Sequence, residues 1–303
     1  MHHSLDAIFR PRSVAVIGAS NRPGKVGGEI FRKLLRTGFR GPVYPVNQKS
    51  PYVHSVKAYP SIREVPEVVD LAVVVVPAPH VVETVRDCAK TGVKGIVVIT
   101  SGFKEIGTES GAQREAELVE IVRENGMRMI GPNCMGVINT EGETRLDATF
   151  APALPLEGQV GFISQSGALG VTILDYANSL NLGVAMFASV GNKADVSGND
   201  FLEYWKDDDR IRVILMYMES FGNPRKFTRL ATEVSRKKPI VVVKSGRSAG
   251  GARAASSHTG SLAGLDHAFD ALFHRCGVIR ANSIEEMFDI AMAFTNQPIP
   301  LGD

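Results

Sequence analysis

"SVAVIGASNRPGKVGGEIFRKLLRT", Ser13 to Thr37, decides the reading of the fold. Its first part, residues 13–19, is a continuous apolar run rich in β-branched residues, not an alternating one. That pattern predicts a strand covered on both faces, as in a parallel sheet. A glycine-rich turn follows, and residues 26–37 then repeat their apolar positions at helical spacing. The same rhythm recurs along the chain. "PVYPV", "DLAVVVVP", "GIVVIT" and "MRMIGP" read as strands, with helices over 81–91 and 111–125. Strands separated by helices predict right-handed βαβ units and a doubly wound sheet.

The rhythm pauses over residues 139–158, rich in Pro, Glu and Thr, and then restarts. "QVGFISQ", "GVAMFASVG", "RVILMYME", "PIVVVKSG" and "VIRA" read as further strands. Helices are expected near 167–179, 200–206, 224–236, 261–276 and 283–294. The expected organisation is a first domain over 1–145 and a second over 150–297. The tail 298–303 reads as a truncated interdomain linker, which would make the chain part of something longer.

Charge excludes some classes. The chain of 303 residues carries 34 basic and 32 acidic side chains, so nothing in its balance favours nucleic acid or a membrane surface. No apolar run is long enough to span a bilayer, and the first residues lack a signal-peptide core. Cys88, Cys134 and Cys276 are odd in number and are not spaced as metal ligands. A reduced, cytoplasmic setting is expected, with no metal site.

Three stretches carry candidate chemistry. The first is "GASNRPGKVGG", Gly18 to Gly28, where glycines let backbone approach a phosphate and the following helix offers N–H groups and its positive dipole end. Its spacing is not G-x-G-x-x-G. The second strand ends "VYPVNQKS", with Asn47 and Lys49 where a nicotinamide site wants an acid for the ribose hydroxyls. A phosphate-bearing nucleotide other than NAD is the expectation; a plain strand–helix turn is the alternative. The second is "FISQSGALG", which sets Ser164, Gln165, Ser166 and Gly167 between a strand and a helix. The stretch contains no G-x-S-x-G nucleophile elbow, so Ser166 is either an ordinary N-cap or part of an anion pocket. The third is "GRSAGGARAASSHTGSLAG", in which small residues leave the imidazole of His258 accessible as a nucleophile toward phosphorus. Glu219, ending "VILMYMES", either orients that imidazole or is an ordinary strand-end acid. His54, His80, His267 and His274 lack such a context.

Taken together, "GPNCMG" (131–136), "SQSGALG" (164–170), "YMES" (217–220) and "SSHTGSLAG" (256–264) resemble the α part of nucleoside-diphosphate-forming acyl-CoA synthetases over essentially the whole chain. That group includes the succinyl-CoA synthetase α-subunit and the ADP-forming acetyl-CoA synthetases, and the His258 loop is closer to the acetate type. The resemblance implies an α/β chain, with a Rossmann-like CoA-binding domain followed by a flavodoxin-like ligase domain. It implies His258 as the phosphohistidine, with Glu219 supporting it. It places coenzyme A against Gly18, Ser20, Lys25, Val26, Gly27, Lys49, Val76, Pro77, Ser101 and Gly102. It places phosphate against Asn133, Ser164, Gln165, Ser166, Gly167, Gly191 and Asn192. It implies an ATP-grasp partner, as a β subunit or as fused domains, holding ADP or ATP with Mg and making a hetero-oligomer. The expected reaction is reversible: acyl-CoA, phosphate and ADP give a small carboxylic acid, CoA and ATP. The succinate enzymes have a tyrosine where this chain has Val171, which favours a smaller or more apolar acyl group. The alternative is a non-catalytic CoA-sensing regulatory module of a protein acyltransferase.

Overall fold

A computed structural model describes residues 5–220, 222–245 and 266–298. The chain divides into two compact units, one of residues 1–154 with 188–196 and the other of residues 155–187 with 197–303.

The first unit opens with α1 (Asp6–Phe9), β1 (Val14–Ile17), α2 (Val26–Thr37) and β2 (Val43–Val46). A short antiparallel pair, β3 (Tyr52–Val53) and β4 (Val56–Lys57), follows. Then come β5 (Leu71–Val74), α3 (Ala78–Lys90), β6 (Gly95–Val98), α4 (Glu109–Glu124) and β7 (Arg128–Ile130). The main strands form one parallel sheet in the order β2-β1-β5-β6-β7. Every residue of β1, β5 and β6 is buried, which is why these strands read as unbroken apolar runs. Helices cover the sheet through one apolar stripe each: Ile30, Phe31 and Leu34 on α2, Val81, Val85 and Cys88 on α3, Leu118 and Val122 on α4. Each such side chain removed from water contributes about 1.5–3 kcal/mol.

The chain runs from β1 to β2 in one direction across the sheet and then returns to β5 on the other side of β1. The carboxyl ends of β1 and β5 therefore flank the switch point, where open α/β sheets leave a crevice for a ligand.

The expected pause over residues 139–158 is only partly a loop. It contains β9 (Leu146–Thr149), paired antiparallel with β8 (Gly136–Asn139). The polar residues that disguised β9 are buried: Asp147 and Thr149 face Lys33 of α2, whose Nζ lies 2.9 Å from Asp147 Oδ2 and 3.1 Å from Thr149 Oγ1. The same ammonium donates to the carbonyls of Ala151 and Ala153 at 2.6 and 3.0 Å, tying the segment to α2.

The second unit holds β10 (Val160–Ser164), α5 (Gly167–Ser179) and most of β11 (Val184–Ser189). It continues through α6 (Gly198–Trp205), β12 (Val213–Met218), α7 (Pro224–Val234), β13 (Ile240–Lys244), α8 (Asp266–Cys276), β14 (Ile279–Ala281) and α9 (Ile284–Asn296). Its strands lie in the order β14-β13-β12-β10-β11, parallel across β10, β12, β13 and β14. The core is aromatic. Phe162 meets Phe187 and Phe288 edge to face, and Phe201 packs on Trp205, whose Nε1 donates to Met186 Sδ. The structure bears out an α/β chain whose first unit is a Rossmann-like parallel sheet.

Candidate functional site

In the first unit the predicted CoA residues gather at the carboxyl edge of one sheet. Gly18 leaves β1 at φ +98°, and a Cβ there would lie 2.8 Å from the Val75 carbonyl. Gly27, in the first turn of α2, is pressed so closely on the same turn that a Cβ would come within 2.2 Å of the Gly18 carbonyl. Only backbone fits between β1 and α2, which holds the helix start beside the turn. Lys25 is the N-cap and gives that helix end no side-chain cap. The turn thus presents helix N–H groups beside exposed Arg22 and Lys25. Ser20 Oγ accepts from Arg22 N–H at 3.1 Å, shaping the turn.

Asn47 explains why no acid ends β2. Its Nδ2 donates to the Ala19 carbonyl at 2.7 Å, and its Oδ1 accepts the N–H groups of Lys49 and Ser50 at 2.8 and 2.9 Å. The side chain holds the loop after β2 against the glycine turn, and the ammonium-bearing side chain of Lys49 is exposed beside it. Val76 and Pro77 lead into α3, with Pro77 at its N-cap. The hydroxyl of Thr100 donates to the Val76 carbonyl at 2.7 Å, binding the β5 loop to Ser101 and Gly102 after β6.

Sequence reasoning missed the group that fixes this second loop. Glu105 Oε1 accepts Gly102 N–H at 2.6 Å, and both its oxygens accept Phe103 N–H at 3.2 Å. Asn192 donates its amide to Glu105 Oε2 at 2.6 Å and to Glu115 Oε2 at 2.7 Å, while its Oδ1 lies 3.3 Å from Asn133 Nδ2. Its backbone N–H donates to the Pro132 carbonyl. Gly191, Asn192 and Asn133 are therefore brought together in the first unit, and both hydrogens of the Asn192 amide are committed to carboxylates. Burial disfavours the ionised form of Glu105, but the hydrogen bonds from Asn192 and from the Gly102 and Phe103 N–H groups outweigh it, so its pKa falls below the ordinary value. An acid three residues beyond a glycine turn was the one signal available in "SGFKE".

In the second unit Ser164, Gln165, Ser166 and Gly167 lie at the end of β10. Ser166 is the N-cap of α5: its Oγ accepts Leu169 N–H at 3.4 Å, and its carbonyl accepts the buried Ser164 hydroxyl at 2.7 Å. Glu219 lies just past the end of the adjacent β12, so the elbow and Glu219 share one sheet edge. Tyr217, one strand position before Met218, has its pKa raised, first by burial and then by the charge of Glu219, with the Ser245 hydroxyl opposing. His258 and the rest of "SSHTGSLAG" lie outside the described residues. His267 and His274 are exposed on α8.

All three cysteines are free and buried, and burial drives the Cys88 and Cys134 thiols up to about 12. Among the described residues no group of His, Cys, Asp and Glu could hold a metal ion, and no helix is long and apolar enough to cross a membrane.

Residues 12–140 match the family described as "CoA binding domain", and residues 157–294 match "Succinyl-CoA ligase like flavodoxin domain". The acetate–CoA ligase [ADP-forming] I subunit alpha of Pyrococcus furiosus is 48% identical over 99% of this chain and 65% of its own length. The acetate–CoA ligase [ADP-forming] I of Archaeoglobus fulgidus is 48% identical over 95% of this chain and 41% of its own length. The acetyl-coenzyme A synthetase 1 of Ca. Korarchaeum cryptofilum, solved in complex with phosphate and ADP, superposes with a TM-score of 0.93 at 44% identity, covering 98% of this chain and 64% of that one. The chain thus spans less than two thirds of the length of each of these relatives. The alternative of a CoA-sensing acyltransferase module finds no support in them, since all three are named as ligases or synthetases.

Proposed function

We propose, starting from a chain that belongs to the nucleoside-diphosphate-forming acyl-CoA synthetase family as its α part, that this protein carries the CoA site and the phosphohistidine of an ADP-forming acid–CoA ligase. The observation that supports this best is the pair of carboxyl-edge turns. In each unit a strand ends at a motif position, a helix N-terminus follows, and in the second unit Glu219 stands at the same edge.

In the first step phosphate oxygen attacks the acyl-CoA carbonyl. The C–S bond breaks, CoA leaves as its thiol, and an acyl phosphate forms. The nucleotide end of CoA fits the cradle at Gly18 and Gly27, with the ammonium of Lys49 and the guanidinium of Arg22 on its phosphates. The α5 N-terminus, reached through Ser166 and Gly167, neutralises phosphoryl oxygens. In the second step a neutral ring nitrogen of His258 attacks phosphorus, an N–P bond forms, and the carboxylic acid leaves. Glu219 accepts the other ring N–H and offsets the cationic phosphoimidazole. In the third step an ATP-grasp partner presents ADP, the phosphoryl group passes from nitrogen to ADP, giving ATP, and Mg held by that partner would offset the negative charge of the phosphates. Val171 at the elbow helix suits a small or apolar acyl group.

The test uses the chain together with its ATP-grasp portion. Calorimetry is run with CoA, dephospho-CoA and NAD, and the protein is then incubated with labelled phosphate and acetyl-, propionyl- or butyryl-CoA. Tight CoA binding and acid-labile label that His258→Asn abolishes, with CoA affinity unchanged, is the expected result. Label that survives His258→Asn would overturn the relay.

A further inference from the structure

The side chain of Gln165 sits in the elbow motif, yet its polar atoms point along the sheet edge. β10 and β12 pair in parallel up to Ser164 opposite Tyr217, and Gln165 N–H extends the ladder by donating to the Tyr217 carbonyl at 3.0 Å. There the strand β10 ends, and two N–H groups follow just past the end of β12. Gln165 Oε1 accepts both: Glu219 N–H at 2.9 Å and Ser220 N–H at 3.1 Å. Its Nε2 donates to Ser220 Oγ at 3.2 Å.

An amide oxygen has two lone pairs, and here both are occupied. The peptide preceding Glu219 is held from the other side, because the Met218 carbonyl accepts Ser245 N–H at 2.9 Å. The backbone of Glu219 is therefore fixed on both flanks. Its carboxylate, by contrast, accepts no hydrogen bond among the described residues. That combination describes a held acid with its working end open.

We propose that Gln165 is a positioning residue for Glu219, replacing the missing strand so that the carboxylate is aimed at its partner, and that its side chain is not a phosphate ligand. This rests on the relay reading of Glu219 and His258. Without the clamp the strand end loses three hydrogen bonds and the carboxylate drifts; a displacement of about 1 Å costs on the order of 10²-fold in rate.

The experiment compares Gln165→Met, Glu219→Gln and the double variant in the full chain with its ATP-grasp portion. It measures turnover and phosphate KM with the acyl-CoA probe that labels the native protein. Gln165→Met should lower kcat on the order of 10²-fold with phosphate KM unchanged. Added to Glu219→Gln it should cost little more, because both remove one function. Gln165→Glu, whose oxygens still meet both N–H groups, should recover at least about tenfold over Gln165→Met; this separates lost aim from a misfolded unit. A raised phosphate KM at native kcat, or losses that multiply in the double variant, would overturn the clamp while leaving the relay standing. A native protein that takes no label from any probe would overturn the relay reading, and the clamp with it.

Discussion

Asn192 Nδ2 lies 2.6 Å from Glu105 Oε2, across a sequence separation of 87 residues. The contact joins the loop after β6, expected to touch CoA, to the Gly191–Asn192 segment expected to face phosphate, both within the first unit. Lys193 and Asn133 hold left-handed backbone, at φ +55° and +59°, beside it. Conformations of that kind persist where surrounding bonds determine them.

This clamp predicts an acid-sensitive stability. The pKa of Glu105 is depressed in the folded chain, so its contribution is present above the ordinary value of 4.5 and lost as pH falls through the folded value. The urea midpoint of the native protein should exceed that of Glu105→Gln clearly at pH 7, and the gap should close as pH drops below 4.5. A gap that stays constant with pH would show that the carboxylate charge is not what holds the loop.

Lys49 predicts a ligand preference. Its backbone is fixed by Asn47 while its side chain is exposed, so replacement should leave the fold intact. Lys49→Ala should weaken CoA binding by about tenfold, roughly 1.4 kcal/mol, through loss of one phosphate contact. Equal losses for CoA and dephospho-CoA in calorimetry would place the ammonium on the diphosphate instead of the extra phosphate.

Lys33 predicts a large stability loss. Its ion pair with Asp147 is nearly enclosed, the two side chains being 12% and 4% exposed. Lys33→Met strands a buried carboxylate and should cost about 3–5 kcal/mol at pH 7. Adding Asp147→Asn should restore part of it. Lower pH should shrink the loss in the single variant, because burial already raises the Asp147 pKa and protonation removes the stranded charge. Chemical denaturation at two pH values checks both points.

Cys88 and Cys134 predict thiol inertness. Their folded values of about 12 lie above the ordinary 9.0, so the folded state keeps its protons where the unfolded chain has lost them. Both should resist iodoacetamide at pH 8 until urea unfolds the chain. Their contribution to stability is full below 9.0 and is lost as pH rises from there toward about 12. Fast alkylation of the native protein, mapped by mass spectrometry, would contradict the burial.

By itself the sequence determined the parallel-sheet architecture, because strands buried on both faces need unbroken apolar runs and each helix needs one apolar stripe. Residues 26–37, expected as a helix, form α2 over Val26–Thr37. It also determined where to look for chemistry, since glycines and small residues at strand–helix turns are local features. Tertiary structure alone decided what the polar side chains there do. Asp147 and Thr149 read as loop residues until Lys33 buries them. Asn192 and Gln165 read as polar turn residues with no partner in view, and only the fold brings their amides to Glu105, Glu115 and the backbone of Glu219. A hydrogen bond depends on which groups the fold brings within about 3 Å. For these residues the partners lie tens of positions away, so no local pattern in the chain records them.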